Sequence, residues 1–130
     1  MKHLDKEQIL DLHSSVLDPG EPGNWDEDRL ESVMYSIQGG AYGQLFHPTI
    51  VEAGAAYLYY FARSQVFAQG NKRTAVATCD LFLDVNRLPL PGDLDDEFVV
   101  DVAIGAVSKQ QAIDYLRTLT STAITRPGQP

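Results

Sequence analysis

Five consecutive residues, Gly70-Asn71-Lys72-Arg73-Thr74, are the part of this chain best suited to chemistry. They read as a short turn that opens a helix and places two cations in the first helical turn. A helix N-terminus already carries partial positive charge and backbone N–H groups without intrahelical partners. Lys72 and Arg73 are therefore badly placed unless an anion joins them. A phosphate would resolve the conflict, because free N–H groups and nearby cations together make an anion site. Gly70 lets the backbone approach such a ligand closely, and Asn71 is of a type that caps helices. The plain alternative is a Gly-Asn turn with two solvated basic side chains.

The wider stretch reads Ser64-Gln65-Val66-Phe67-Ala68-Gln69-Gly70-Asn71-Lys72-Arg73-Thr74-Ala75. It resembles the core motif of the Fic/Doc family, H-x-F-x-[DE]-[AG]-N-[GK]-R, in the N-K-R-T-A form typical of the Doc (death-on-curing) toxin branch. Leu30-Glu31-Ser32, Gly43-Gln44-Leu45 ahead of His47-Pro48-Thr49, and Phe82-Leu83 followed by Asn86 are also Doc-like, so the resemblance covers roughly the whole chain. Phe67, Gly70, Asn71, Lys72 and Arg73 match the motif. Two positions depart from it: Gln65 stands where the family has its His, and Gln69 where it has its Asp or Glu.

In the family, the motif His acts on the target hydroxyl and the acid holds a magnesium ion, while the Asn, the Gly backbone and the Arg hold phosphates. Fic members transfer AMP. Doc members transfer the terminal phosphate of ATP to targets such as elongation factor Tu, and a partner antitoxin neutralises them by folding on them. Carried over, the resemblance implies a phosphate cradle at Gly70, Asn71, Lys72 and Arg73, with Phe67 holding the turn. Gln65, at the catalytic position, has no useful basicity near neutral pH, and loss of a general base typically costs ~10²–10⁴ in rate. Gln69, at the metal position, offers only a neutral carbonyl oxygen, a poor ligand for the hard magnesium ion. The expectation is a degenerate protein kinase or adenylyltransferase that takes ATP or another nucleotide and holds magnesium weakly at best. The alternative is a non-catalytic protein that binds nucleotide, phosphate or an antitoxin-like partner.

Composition sets outer limits. A chain of 130 residues fits one domain with one core. Its net charge of −8 argues against sequence-independent nucleic-acid binding and against binding to anionic membranes. Cys79 is the one cysteine, so no internal disulfide forms, and its apolar surroundings suggest an inert buried thiol. His3, His13 and His47 show no metal-ligand spacing. No apolar run approaches the ~20 residues of a membrane span, and the start of the chain lacks a signal-peptide pattern. A cytoplasmic protein is expected.

The elements that must position the motif read as all-α: a single domain of about six helices around two buried central ones. Asp5 to Gln8 forms a capping box ahead of a stripe at Ile9, Leu12 and Val16. Asp18-Pro19-Gly20-Glu21-Pro22-Gly23 ends that helix. Asp26 or Asn24 caps a second helix with Leu30, Val33, Met34 and Ile37 on one face, and Gly39-Gly40 stops it. Residues 38–46 read as a loop, with Pro48 at the first position of the next helix. The runs 49–63 and 72–85 are apolar on most faces, as central helices are. Asp93, Asp95, Asp96 and Glu97 suit a helix start, and Ser108 with Gln111 forms a second capping box. Tyr57, Tyr59 and Tyr60 read as packing residues, His13 as a helix-face residue and His47 as a cap or surface residue. The domain is expected to cover residues 1–119, with a frayed tail over 120–130.

Overall fold

Two helices rich in small and apolar residues form the centre of the molecule, and the other four are arranged around them. The computed structural model describes residues 1–124. In chain order its elements are α1 (Lys6–Val16), α2 (Glu27–Gln38), β1 (Gly40–Ala41), β2 (Gln44–Leu45), α3 (Ile50–Arg63), α4 (Asn71–Val85), α5 (Asp96–Ala103) and α6 (Lys109–Ile124). Among the described residues the only sheet is the hairpin β1–β2, so the domain is all-α as read from the sequence.

Helix α3 packs most extensively against α4 and also meets α2, α5 and α6, while α1 lies on α4. It buries Ala53, Gly54, Ala55, Ala56, Tyr57, Leu58, Phe61 and Ala62. The small residues permit a close approach: a Cβ added at Gly54 would lie 2.8 Å from Leu83 Cδ2 on α4. Helix α4 buries Thr74, Ala75, Thr78, Cys79, Phe82 and Leu83, whereas Val76 and Ala77 stay partly exposed on its outer face. Burial pushes the Cys79 thiol up, keeping it protonated and inert.

Tyr57 ties the start of the chain to this core. Its ring centroid lies 4.8 Å from that of Phe82. Its hydroxyl accepts from Leu4 N–H (3.0 Å) and Gln38 Nε2 (3.1 Å), which leaves its own proton for His3 Nδ1 at 3.0 Å.

Local signals set most helix starts. Both halves of the Asp5–Gln8 capping box are present. Asp26, not Asn24, caps α2 by accepting from Arg29 N–H at 3.0 Å. Ser108 and Gln111 exchange backbone and side-chain bonds of 2.7 and 3.1 Å at the start of α6.

Several details differ from the sequence reading. Thr49 caps α3 and the helix begins at Ile50, so Pro48 precedes the cap instead of opening the helix. The segment 38–46 contains the short hairpin, whose turn places Tyr42 and Gly43 at φ 54° and 77°. Helix α6 continues to Ile124 and buries Thr120, past the boundary expected at 119. The rest of the expected tail, 125–130, lies outside the described residues. His47 is neither a cap nor a surface residue but is buried. Its Nδ1–H donates to the Ile37 carbonyl (3.1 Å) and its Nε2 accepts from Lys109 Nζ (3.1 Å), joining α2 to α6. Among the described residues no helix is long and apolar enough to cross a membrane.

Two stability predictions follow from this packing. Gly54→Val should force α3 and α4 apart and cost about 1–3 kcal/mol in urea unfolding. Burial holds the pKa of both His3 and His47 below the ordinary 6.5, so the unfolded chain takes up these protons first as pH falls. Stability from the neutral rings is then complete above 6.5 and is lost as pH falls through their folded-state values. Thermal midpoints should drop between about pH 7 and about pH 5, and less steeply in His47→Gln.

Candidate phosphate-binding site

The turn between the two central helices reverses the chain within residues 64–70, and this takes left-handed backbone at Gln65 (φ 51°) and Gly70 (φ 81°). Gly70 suits its position on two counts: the positive φ, and a Leu17 Cδ2 atom that would lie 3.2 Å from any Cβ there. Gln65 is held in its less favourable conformation by its neighbours. Arg29 Nη1 donates to the Gln65 carbonyl at 3.2 Å. Asp26 N–H donates to Val66 O (2.8 Å) and Ala68 N–H to Asn24 O (3.1 Å), on either side of an antiparallel bridge between Trp25 and Phe67.

Phe67 is buried, with its ring stacked on His13 at 3.8 Å and facing Phe61 at 6.3 Å. His13, read as an ordinary helix-face residue, is buried against this turn and donates from Nε2 to the Gln69 carbonyl at 2.8 Å. The side chains of Gln65 and Gln69 lie at exposed positions.

Asn71 does not cap α4. Gly70 occupies the N-cap without a side-chain bond, and Asn71 is the first helical residue. Its side chain instead accepts from Phe67 N–H (3.0 Å) and donates to Phe67 O (2.8 Å), closing the turn from both sides. The first intrahelical bond runs from Thr74 N–H to Gly70 O at 2.9 Å. The N–H groups of Asn71, Lys72 and Arg73 therefore stand at the open end of the helix.

The two cations differ in their surroundings. Lys72 is exposed and has no ion pair among the described residues. Arg73 is partly engaged: Nη1 donates to Val16 O (2.7 Å) and Glu21 Oε1 (2.8 Å), and Nη2 to Glu21 Oε2 (2.9 Å). Asp18 lies 3.5 Å from the same guanidinium. Hydrogen bonding to Arg73, followed by the bond from the Asp18 backbone, pulls the Glu21 carboxyl down to about 2. The structure thus gathers Gly70, Asn71, Lys72 and Arg73 on one turn, but the sequence reading missed the acid that faces Arg73.

Of the residues missed, His13 left a trace. It lies four residues after Ile9 on the apolar side of α1, where a polar ring needs a buried partner. Glu21 left none, because its partner is 52 residues away. Magnesium fits this turn poorly. Its donors are N–H groups and cations, with an amide at the position of the acid, and a hard divalent ion needs carboxylate oxygens. Among the described residues no group of three or more His, Cys, Asp or Glu side chains is arranged to hold a metal ion.

These features define an all-helical domain whose two central helices meet at a Gly-Asn-Lys-Arg turn. Residues 3–83 match the model of the Fic/DOC family. The "Protein kinase doc" of Escherichia phage P1 is 31% identical over 130 residues, covering 95% of this chain and 99% of the relative. "Toxin Doc" of Mycolicibacterium smegmatis is 32% identical over 115 residues, 88% of each chain. The chain belongs to the Fic/DOC family and sits with its Doc members.

Asn71→Ala would remove both bonds that close the turn and leave a partly buried backbone pair unmatched. A loss of about 1–3 kcal/mol in urea unfolding is expected, with faster hydrogen exchange at the Phe67 amide.

Proposed function

We propose that this chain is a Doc-type toxin-family protein that binds a nucleotide through its phosphates at Gly70–Arg73. In this reading it has lost most of the family's transfer of phosphoryl, or AMP, to a protein hydroxyl. The observation that carries the reading is the open N-terminus of α4. Three backbone N–H groups and the unpaired Lys72 share one turn, held by Asn71 and by the buried Phe67. Oriented N–H groups with an adjacent cation form an anion site on a rigid support. ATP is the ligand that best suits the kinship with a protein kinase; another nucleotide would use the same phosphate contacts.

Transfer of the terminal phosphoryl group forms a bond from the target oxygen to phosphorus and breaks the bond to the leaving ADP oxygen. The proton of the attacking hydroxyl needs an acceptor. Gln65 supplies none, so the proton must pass to solvent, and Gln69 supplies no carboxylate to hold a charge-neutralising ion. A translation factor such as elongation factor Tu is the kind of target this reading implies.

A second reading, as a binding protein for an antitoxin-like partner, rests on a different observation. An open groove of about 830 Å³ runs between α4 and α5 to Lys72 and Arg73, over Val76, Ala77, Leu90, Val99 and Val100. The relative named a toxin makes such a partner reasonable.

The double variant Gln65→His/Gln69→Asp tests the proposal. It should transfer labelled phosphate from ATP to a target about 10²-fold faster than the wild type, or more, and should arrest growth when expressed. A wild type as active as the double variant would contradict the loss of catalysis. Calorimetry that detects no ATP binding to either protein would contradict the nucleotide site and favour the partner-binding reading.

A further inference from the structure

A second polar cluster lies away from the α4 turn, between the end of α2, the side of α3 and the start of α6. Its centre is the buried ring of His47. The Ile37 carbonyl can only accept, so His47 Nδ1 carries the proton of their 3.1 Å bond. The neutral ring then has its lone pair on Nε2, 3.1 Å from Lys109 Nζ. Burial lowers the pKa of His47, so the ring is neutral near neutral pH and Nε2 stays an acceptor.

Lys109 is unlike the other lysines of the chain, Lys2, Lys6 and Lys72. Lys6 pairs with Glu27, and Lys2 and Lys72 are exposed. Lys109 is half-buried and has no carboxylate partner among the described residues. Its Nζ meets the imidazole lone pair, the Tyr60 hydroxyl at 3.5 Å and the Tyr60 ring, whose centroid is 5.5 Å away. Glu52, whose charge reaches His47, is turned to Thr49 Oγ1 at 2.7 Å. We propose that Lys109 is a modification site: an amine nucleophile, with His47 as its base, that takes an acyl group from a small activated donor, an acyl phosphate or an acyl thioester.

A base within hydrogen-bond reach is what activates a side-chain nucleophile. The ammonium group first gives one proton to solvent. One remaining N–H stays directed at His47 Nε2, which leaves the amine lone pair facing the open side of the residue. That lone pair attacks the acyl carbonyl carbon. An N–C bond forms, and the C–O bond to phosphate, or the C–S bond of the thioester, breaks. The second proton passes from Nζ to His47 Nε2 and on to the departing phosphate or thiolate. The Tyr60 hydroxyl is the donor at hand for the carbonyl oxygen as it gains charge. The product amide keeps one N–H for Nε2, so acylation removes the charge and retains the tie between α2 and α6. It also removes a cation from the first turn of α6, where cations are unfavourable.

Incubation of the full chain with acetyl phosphate, and separately with acetyl-coenzyme A, tests this. Peptide mass spectrometry follows acetylation at each lysine over time, with Lys2, Lys6 and Lys72 as references in the same molecule. Lys109 should react at least about tenfold faster than any of them, a conservative share of what a general base contributes. The donor that shows the preference identifies the source of the acyl group. In urea-unfolded protein the preference should vanish, because no lysine then has His47 beside it. In His47→Gln, checked for folding by thermal melting, the amide still accepts from Nζ but takes up no proton. Lys109 should then fall to the rate of the reference lysines, whose own rates stay unchanged. Equal labelling of all the lysines in the native chain with both donors would overturn the proposal. So would a preference that survives in folded His47→Gln. If that variant does not fold, native and urea-unfolded wild type decide the matter: a preference that persists in urea overturns the proposal.

Discussion

The close approach of α3 and α4 is the constraint on which the rest of the structure depends. Alanines and Gly54 on α3 bring its backbone up to Leu83 of α4, and aromatic rings at Tyr57, Phe61 and Phe82 fill the space beyond. Two helices packed this tightly leave their connection little freedom. Residues 64–70 must reverse the chain within a short span, which forces positive φ at Gln65 and Gly70. The turn then needs support that its own residues cannot supply. Asn71 closes it from within, the 24–26 segment pairs with it from outside, and His13 holds its last carbonyl. The result points the open end of α4 at solvent in a fixed direction, the kind of preorganisation that makes an anion site effective.

The start of α4 carries an electrostatic tension of its own. Cations at a helix N-terminus are unfavourable by themselves, and the chain relieves this differently for each. Lys72 extends into water, while Arg73 bonds to Glu21, to Asp18 and to the carbonyl of Val16. Both arrangements stabilise the free protein, but only the first leaves the cation ready for a ligand. The exposed amides at positions 65 and 69 supply the turn with neither a base nor a carboxylate, and on the proposed reading its N–H groups and Lys72 are what would hold a phosphate.

Much of the fold was legible in the sequence because its signals are local. Capping boxes at Asp5–Gln8 and Ser108–Gln111, the cap at Asp26 and the apolar run of α3 each act within a few residues. What was not legible depends on partners distant in sequence. His47 read as a surface residue because nothing beside it reveals that Ile37 and Lys109 will bracket its ring. Glu21 looked like one more acid in a Pro-Gly loop, and only the fold brings Arg73 to it. The apolar residues of α4 suggested burial on most sides, yet Val76 and Ala77 line an open groove. Hydrophobicity alone does not distinguish a face that meets the core from one that borders a cleft. The hairpin at 40–45 was hidden for another reason: its strands are two residues long and contain no β-branched residue.

The central claim is that the N-terminus of α4 is an anion site. Backbone amide resonances followed by NMR during an ATP titration test it most directly. The account predicts saturable shifts concentrated at Gly70, Asn71, Lys72, Arg73 and Thr74, largest at the amides without intrahelical partners. Saturable shifts centred elsewhere, or none at these amides at millimolar ATP, would contradict it.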